Sequence, residues 1–221
     1  DNKSTVRNCW NTGNIQVDLN YVGGITGANN SSGTDGTAAL TENCWSTGTV
    51  VSFGRTSAGG IVGAAWVNLG GVRNCYSLMK PVGGTWNAHP VTNAEQKTLD
   101  QFASGEVAYL LRTRAAEGTD VWGQNIDNGQ TVQTVPALNG ADVYQIPVDC
   151  MGTLGYSNTN ITEVPDHSYD DNGFCANANN GVVCDAYEPA TLVTAENCAE
   201  LGLFDAYIGY YAITNAGNLY W

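Results

Sequence analysis

Cys150, His167, Cys175 and Cys184 are the side chains of this 221-residue chain best suited to hold a metal ion. Three thiols and an imidazole form a possible tetrahedral zinc set, because thiolate sulfur and imidazole nitrogen are the ligands zinc favours. They sit among Asn, Asp and Gly, which are residues of turns. The same thiols have a second use. In an oxidising exterior Cys175–Cys184 would close a small loop as a disulfide, and Cys150 could then pair with Cys198. Sequence leaves both readings open. The total of seven cysteines is odd, so at least one stays unpaired within the chain or pairs between chains. Asp166, Asp170, Asp171 and Asn172 precede Gly173 and hint at a calcium loop. Their spacing lacks the alternate ligands and closing Glu of such a loop, so a solvated acidic turn is the plainer reading. A structural zinc or calcium ion is the only cofactor these residues suggest.

No catalytic constellation accompanies them. Of the two histidines, His89 lies in a linker-like Ala88-His89-Pro90, and His167 reads as a ligand or turn residue rather than a general base. There is no Gly-x-Ser-x-Gly and no phosphate loop. A glycosidase pair of carboxylates would need an acidic cleft, and no particular residues support one. The expectation is a protein that is not an enzyme. Lys and Arg total eight against 21 Asp and Glu, a net charge of −13. That surface repels nucleic acid and anionic membranes. No apolar run approaches the roughly 20 residues of a membrane-crossing helix. Charged residues make up 13% of the chain, about half the usual ~25%. Asn2, Asn29, Asn30 and Asn160 match the N-glycosylation pattern and read as chance in an Asn-rich chain.

The elements that must position these groups begin with a repeated phrase. Val6-Arg7-Asn8-Cys9-Trp10-Asn11-Thr12-Gly13 returns as Thr41-Glu42-Asn43-Cys44-Trp45-Ser46-Thr47-Gly48 and again, worn down, as Val72-Arg73-Asn74-Cys75-Tyr76-Ser77. A second phrase, Val22-Gly23-Gly24-Ile25-Thr26-Gly27, is echoed by Ala58-Gly59-Gly60-Ile61-Val62-Gly63. The cysteines stand 35 and then 31 residues apart. That period indicates stacked supersecondary units, a β-solenoid over the first 80 or so residues. Each phrase is short, rich in Val, Ile, Thr and aromatics, and bounded by Gly and Asn, so it reads as strand and turn. The Gly-Gly pairs let the backbone bend and approach a neighbour closely. Cys9, Cys44 and Cys75 would form an inward column of small buried residues, with Trp10, Trp45 and Tyr76 in the next column.

The texture changes near residue 90. Thr92-Asn93-Ala94-Glu95 reads as a capping box opening a helix through Ala103, with Leu99 and Phe102 as its apolar face. Ser104 reads as the N-cap of a second short helix with Val107, Leu110 and Leu111 on one face. Asn128-Gly129 is a hairpin-turn signal. Glu106, Arg112 and Arg114 read as solvated helix charges. The two helices are expected to cap the open end of the solenoid.

The alternation of Asn-Cys-Trp/Tyr-x-x-Gly with Val/Ala-Gly-Gly-Ile-x-Gly resembles the GLUG-motif repeats of bacterial surface proteins, over residues 1–80. That resemblance implies an extracellular or cell-surface location, an adhesin-type structural role and no catalytic residues. Leu78-Met79-Lys80-Pro81 departs from the pattern and is expected to mark the end of the solenoid. Phe102 to Leu111, with Val121-Trp122-Gly123-Gln124 after it, resembles the segment that follows such repeats. The stretch from Cys150 to Ala190 resembles a linker module of similar surface proteins, in which the last two cysteines form a tight Cys-x-x-Cys. Here eight residues, Ala176 to Val183, separate them. Residues 207–221 resemble the opening of a further repeat domain.

The expected fold is therefore mainly β. It has solenoid repeats over 1–90, a helical cap with short strands over 91–147 and a loop-rich Cys/His region over 148–206. Residues 207–221 would start a further strand or form an intersubunit contact. The expected function is structural or adhesive, in a segment of a long surface protein or a subunit of a head-to-tail fibre. A glycan or cell-surface ligand is the expected partner besides self-association. A carbohydrate-binding accessory module is the alternative, with Trp10, Trp45, Trp66 and Trp86 as stacking platforms if they face solvent.

Overall fold

The computed structural model describes residues 4–18, 20–30, 39–53, 57–66, 71–86, 91–127, 132–176, 178–179, 182–184, 186, 188–216 and 218. His89, the Asn128-Gly129 turn and residues 219–221 lie outside the described residues, as do the side chains of Trp66 and Trp86. The fold is mainly β, with mostly parallel, open sheets and two helices. The chain divides into two compact units, 1–145 with 156–160, and 146–155 with 161–221.

The first unit is built in successive passes. The first contains β1 (Thr5–Arg7), β2 (Trp10–Asn11), β3 (Ile15–Val17), β4 (Val22–Gly23) and β5 (Thr26–Asn30). The second contains β6 (Leu40–Ser46), β7 (Val50–Ser52), β8 (Ala58–Gly59) and β9 (Val62–Trp66). The third contains β10 (Gly71–Ser77) and β11 (Val82–Trp86), and β12 (Val91–Gln96) follows. Equivalent strands pair side by side and parallel: β1 and β2 with β6, β6 with β10, β10 with β12, β3 with β7, β4 with β8, and β9 with both β5 and β11. Each copy of the phrase meets the next in register, with Trp10 opposite Trp45, Cys44 opposite Cys75 and Trp45 opposite Tyr76.

The phrase owes its spelling to one backbone kink. Asn8, Asn43, Asn74 and Asn93 all take left-handed conformations, with φ of 55°, 53°, 49° and 52°. Asn tolerates this region better than most residues. The kink lets the next residue's thiol turn back onto a carbonyl two residues earlier. Cys9 Sγ donates to Arg7 O at 3.3 Å, Cys44 to Glu42 O at 3.1 Å and Cys75 to Arg73 O at 3.2 Å. A small residue with a weak donor suits that corner. Cys44 and Cys75 pack inward with Ile61, Val62, Ala65, Val72 and Val82, and partly buried Cys9 packs against them. The expected inward column is present.

The Gly-Gly pairs sit where adjacent passes nearly touch. A Cβ on Gly59 would stand 2.1 Å from Val62 O and 2.5 Å from Gly83 N. One on Gly83 would stand 2.5 Å from the Ala58 carbonyl carbon.

Several expectations need correction. Leu78-Met79-Lys80-Pro81 is a short cut, not an end. Gly60 N–H donates to Lys80 O, and Ile61 and Val62 donate to Pro81 O, so the chain rejoins the stack at once. Residues 92–95 are strand rather than helix start, because β12 pairs with β10 along its length. The capping box lies six residues later. Thr98 Oγ1 accepts from Gln101 N, and Gln101 Oε1 accepts from Thr98 N, opening α1 (Leu99–Ala103). Leu99 is exposed, so Phe102 alone anchors that helix. Gly105 at φ 90°, not Ser104, is the N-cap of α2 (Glu106–Thr113).

Nor do the helices lie across the end of the ladder. Successive strand residues face opposite ways. Trp45 and Tyr76 therefore turn away from the cysteine side and pack with Phe102, Val107, Leu111 and Trp122. The helices cover a side of the sheet, which is why β6 is buried on both faces from Thr41 to Ser46. Asn74 Nδ2 donates to Leu111 O at 2.8 Å, and Trp122 Nε1 donates to Asn43 O at 2.8 Å. Glu106, Arg112 and Arg114 are paired rather than merely solvated: Glu106 with Lys97, Arg112 with Asp142, and Arg114 with Glu95. Beyond α2, β13 (Trp122–Gly123) pairs antiparallel with β14 (Ala137–Leu138). A further pair, β15 (Tyr144–Pro147) with β16 (Leu154–Ser157), follows.

In the second unit β17 (Ala178–Asn179) pairs with β18 (Val182–Val183), and β19 (Thr191–Leu192) with β20 (Tyr211–Ala212). Asp205–Tyr207 is a single 3-10 turn. No described helix is long and apolar enough to cross a membrane.

Candidate metal centre

Three chain reversals in the second unit bring the candidate ligands together. The first presents Cys150. Asp149 Oδ1 accepts from Met151 N and Thr153 N, both at 2.9 Å, and Gly152 takes φ 73°. The buried carboxylate thus ties the turn that carries Cys150. The second reversal joins His167 to Cys175. Asp170 Oδ1 accepts from Asn172 N at 2.9 Å and Phe174 N at 3.0 Å, Gly173 takes φ 77°, and Ala176 N donates to Ser168 O. Tyr169 and Cys175 form an antiparallel bridge, and the His167 imidazole stacks on the Tyr169 ring with centroids 6.0 Å apart.

The third reversal is the β17–β18 hairpin. It occupies the interval between Cys175 and Cys184 and returns the chain to its start. This antiparallel pair stands where a tight Cys-x-x-Cys was expected. Cys175 N donates to Ala186 O and Glu188 N to Gly173 O, which hold the returning chain in place.

The four ligand atoms all lie within 4.8 Å of one another. Cys150 Sγ is 3.6 Å from Cys175 Sγ, and His167 Nδ1 is 3.5 Å from both Cys175 Sγ and Cys184 Sγ. A tetrahedral ion with Zn–S of about 2.3 Å and Zn–N of about 2.0–2.1 Å sets S···S edges of about 3.8 Å and S···N edges of about 3.6 Å. The separations therefore fit a tetrahedron around a small cation. Neither of the expected disulfides, Cys175–Cys184 and Cys150–Cys198, is formed. No disulfide joins the cysteines. Burial is graded: Cys175 is buried, Cys150 and Cys184 are half-buried, and His167 is exposed.

Cys198 stands apart from this group. It is buried, with its thiol 3.5 Å from Asp205 Oδ1, and burial followed by that carboxylate pushes its pKa up. Asp166, Asp170, Asp171 and Asn172 do not converge as a ligand set among the described residues. Asp170 spends an oxygen on its own turn. Of the tryptophans offered as stacking platforms, Trp45 is buried, while Trp10 is 51% exposed with its ring edge-on to Trp122.

Comparison with protein-family models, curated proteins and solved structures returned no match. The likeness to GLUG-motif repeats rests on the phrases themselves.

Proposed function

We propose that this is a non-catalytic structural protein of the cell exterior. Its first unit acts as a rigid β-solenoid, and its second is folded around a structural zinc ion. The observation that carries the reading is the common register of the parallel strands across every pass, with the same left-handed Asn in β6, β10 and β12 and before β2. A stack of this kind gains length and stiffness from each added pass, since every pass contacts only its neighbours. The metal centre supports the same reading. Three thiolates and one imidazole saturate a tetrahedral ion and leave no position for water or substrate, as a catalytic zinc requires. Bound zinc would keep Cys150, Cys175 and Cys184 as thiolates, bring the three reversals into one fold, and add its binding free energy to the stability of the unit.

A structural solenoid serves as a spacer or as a fibre subunit, and we favour the fibre because open ladders lend themselves to head-to-tail growth. Electron microscopy of the natively purified protein at neutral pH, with and without reductant, tests this. Regular fibres are expected. Dispersed single particles under both conditions would overturn the fibre reading and leave a spacer in a larger surface protein.

A further inference from the structure

Among the described residues, β12 pairs along one edge only, with β10. Its residues show what is missing on the other side. Val91, Thr92 and Asn93 are exposed, whereas their register partners in β10 include Val72 at 0% exposure, and Asn74, the kink residue there, is at 2%. Such an edge offers a row of backbone donors and acceptors to any strand that can follow it. Not every strand can. The pairing of β6 with β10 and of β10 with β12 is interrupted at the left-handed Asn and resumes one residue later. A partner for β12 must carry the same kink at the same place, or its side chains fall on the wrong faces.

At the opposite side of the same sheet, β1 and β2 also pair on one edge only among the described residues, with β6. They are joined through Asn8 at φ 55°. Their free edge faces away from β6, so it matches that of β12 in kink and in strand direction. We propose that the free edge of β12 docks β1 and β2 of a second copy of this chain, in the register of the internal ladder. The inference rests on the fibre reading above and names its contact.

Continuing the register places Val91 against Val6, Thr92 against Arg7, Ala94 against Cys9, Glu95 against Trp10 and Gln96 against Asn11 of the next copy. No like charges face each other. The small Ala94 extends the cysteine column. The Asn ladder extends too: inside the chain Asn74 Nδ2 donates to Asn43 Oδ1 at 2.9 Å, and the equivalent bond would run from Asn8 to Asn93. The contact also covers Val91 and Trp10, now 41% and 51% exposed. It is a head-to-tail contact between unlike surfaces, so it propagates without closing.

A double variant of the full chain, Asn11→Cys with Gln96→Cys, tests the register. Within one copy the strand partners of these positions are Ser46 and Ser77, so a new bond to a strand partner must join copies. Mild oxidation with diamide should give a ladder of multimers on a non-reducing gel, collapsed by reductant and absent from either single variant. A second variant, Val91→Lys with Thr92→Lys, charges the exposed edge and should abolish assembly while far-UV circular dichroism stays unchanged. If fibres form but the double variant gives no ladder, or the lysine variant assembles normally, this contact is wrong and the fibre reading survives. If no assembly occurs in the unmodified chain, both are wrong.

Discussion

Glu42 carries its carboxylate in a side chain only 1% exposed, gripped from either side by Arg7 and Arg73 of the neighbouring passes. The two arginines are 41% and 48% exposed, so they can return to water when the carboxylate is gone. The reverse is not true. Removing both arginines leaves a buried charge without a counterion, which costs about 3–5 kcal/mol. Glu42→Gln should therefore destabilise the first unit by about 1–2 kcal/mol. Arg7→Met with Arg73→Met should cost more than twice that. Urea unfolding followed by tryptophan fluorescence measures both, and the opposite order would refute the argument. At the metal centre, zinc analysis of the purified chain should give one ion per chain, and Cys175→Ser should release it. Tetrahedral cobalt, substituted for zinc, should show thiolate charge-transfer bands that the variant lacks. A metal-free protein whose intact mass shows a Cys175–Cys184 disulfide would favour the oxidised reading. The four candidate ligands were legible from residue type alone. Their convergence was not, because it depends on the β17–β18 hairpin and two Asp-tied turns, and no local pattern announces three turns meeting.

The strands of the first three passes were readable because each phrase repeats its Asn and its small inward cysteine. The fourth was not. β12 replaces Cys with Ala94 and the aromatic with Glu95, and its Thr-x-x-Glu mimics a helix start. The surviving signal was Asn93, since the kink outlasts the side chains around it. The third pass was misread for a related reason: losing the turn phrase shortens the path but leaves the β11 and β12 pairings intact. The element-level test is Gly83→Ala, which places a methyl against the backbone of the preceding pass. It should destabilise the first unit by about 1–3 kcal/mol, as overpacking does, and an unchanged urea midpoint would show that the passes can spread. The tie between β12 and α2 should also be sensitive to acid. Hydrogen bonds from Lys97 and then from Arg114 hold the Glu95 pKa below its ordinary value of 4.5. A depressed carboxylate adds stability that is full above its unfolded pKa and is lost as the pH falls through the folded one. Glu95 is 40% exposed, so the contribution is about 1 kcal/mol or less. Glu95→Gln should flatten the stability profile below about pH 4.5 and leave the higher range parallel to the unmodified chain.

For the whole molecule, the expected division into a solenoid, a cap and a linker gives way to two units. The helices belong with the ladder because Trp45 and Tyr76 require a cover, and Phe102, Val107, Leu111 and Trp122 supply it. Hydrophobic pattern alone placed apolar residues on the helices without saying which surface they would meet. The repeat places the aromatic column beside the cysteine column, and strand alternation sends it to the opposite face.

The passes also differ in length. Successive equivalent positions Cys9, Cys44, Cys75 and Ala94 are separated by 35, 31 and 19 residues, yet the strands keep one register. Connections absorb the difference. In the solenoid proposed for the first unit, each complete pass would count as one graduation of a rule, adding about 4.8 Å of length.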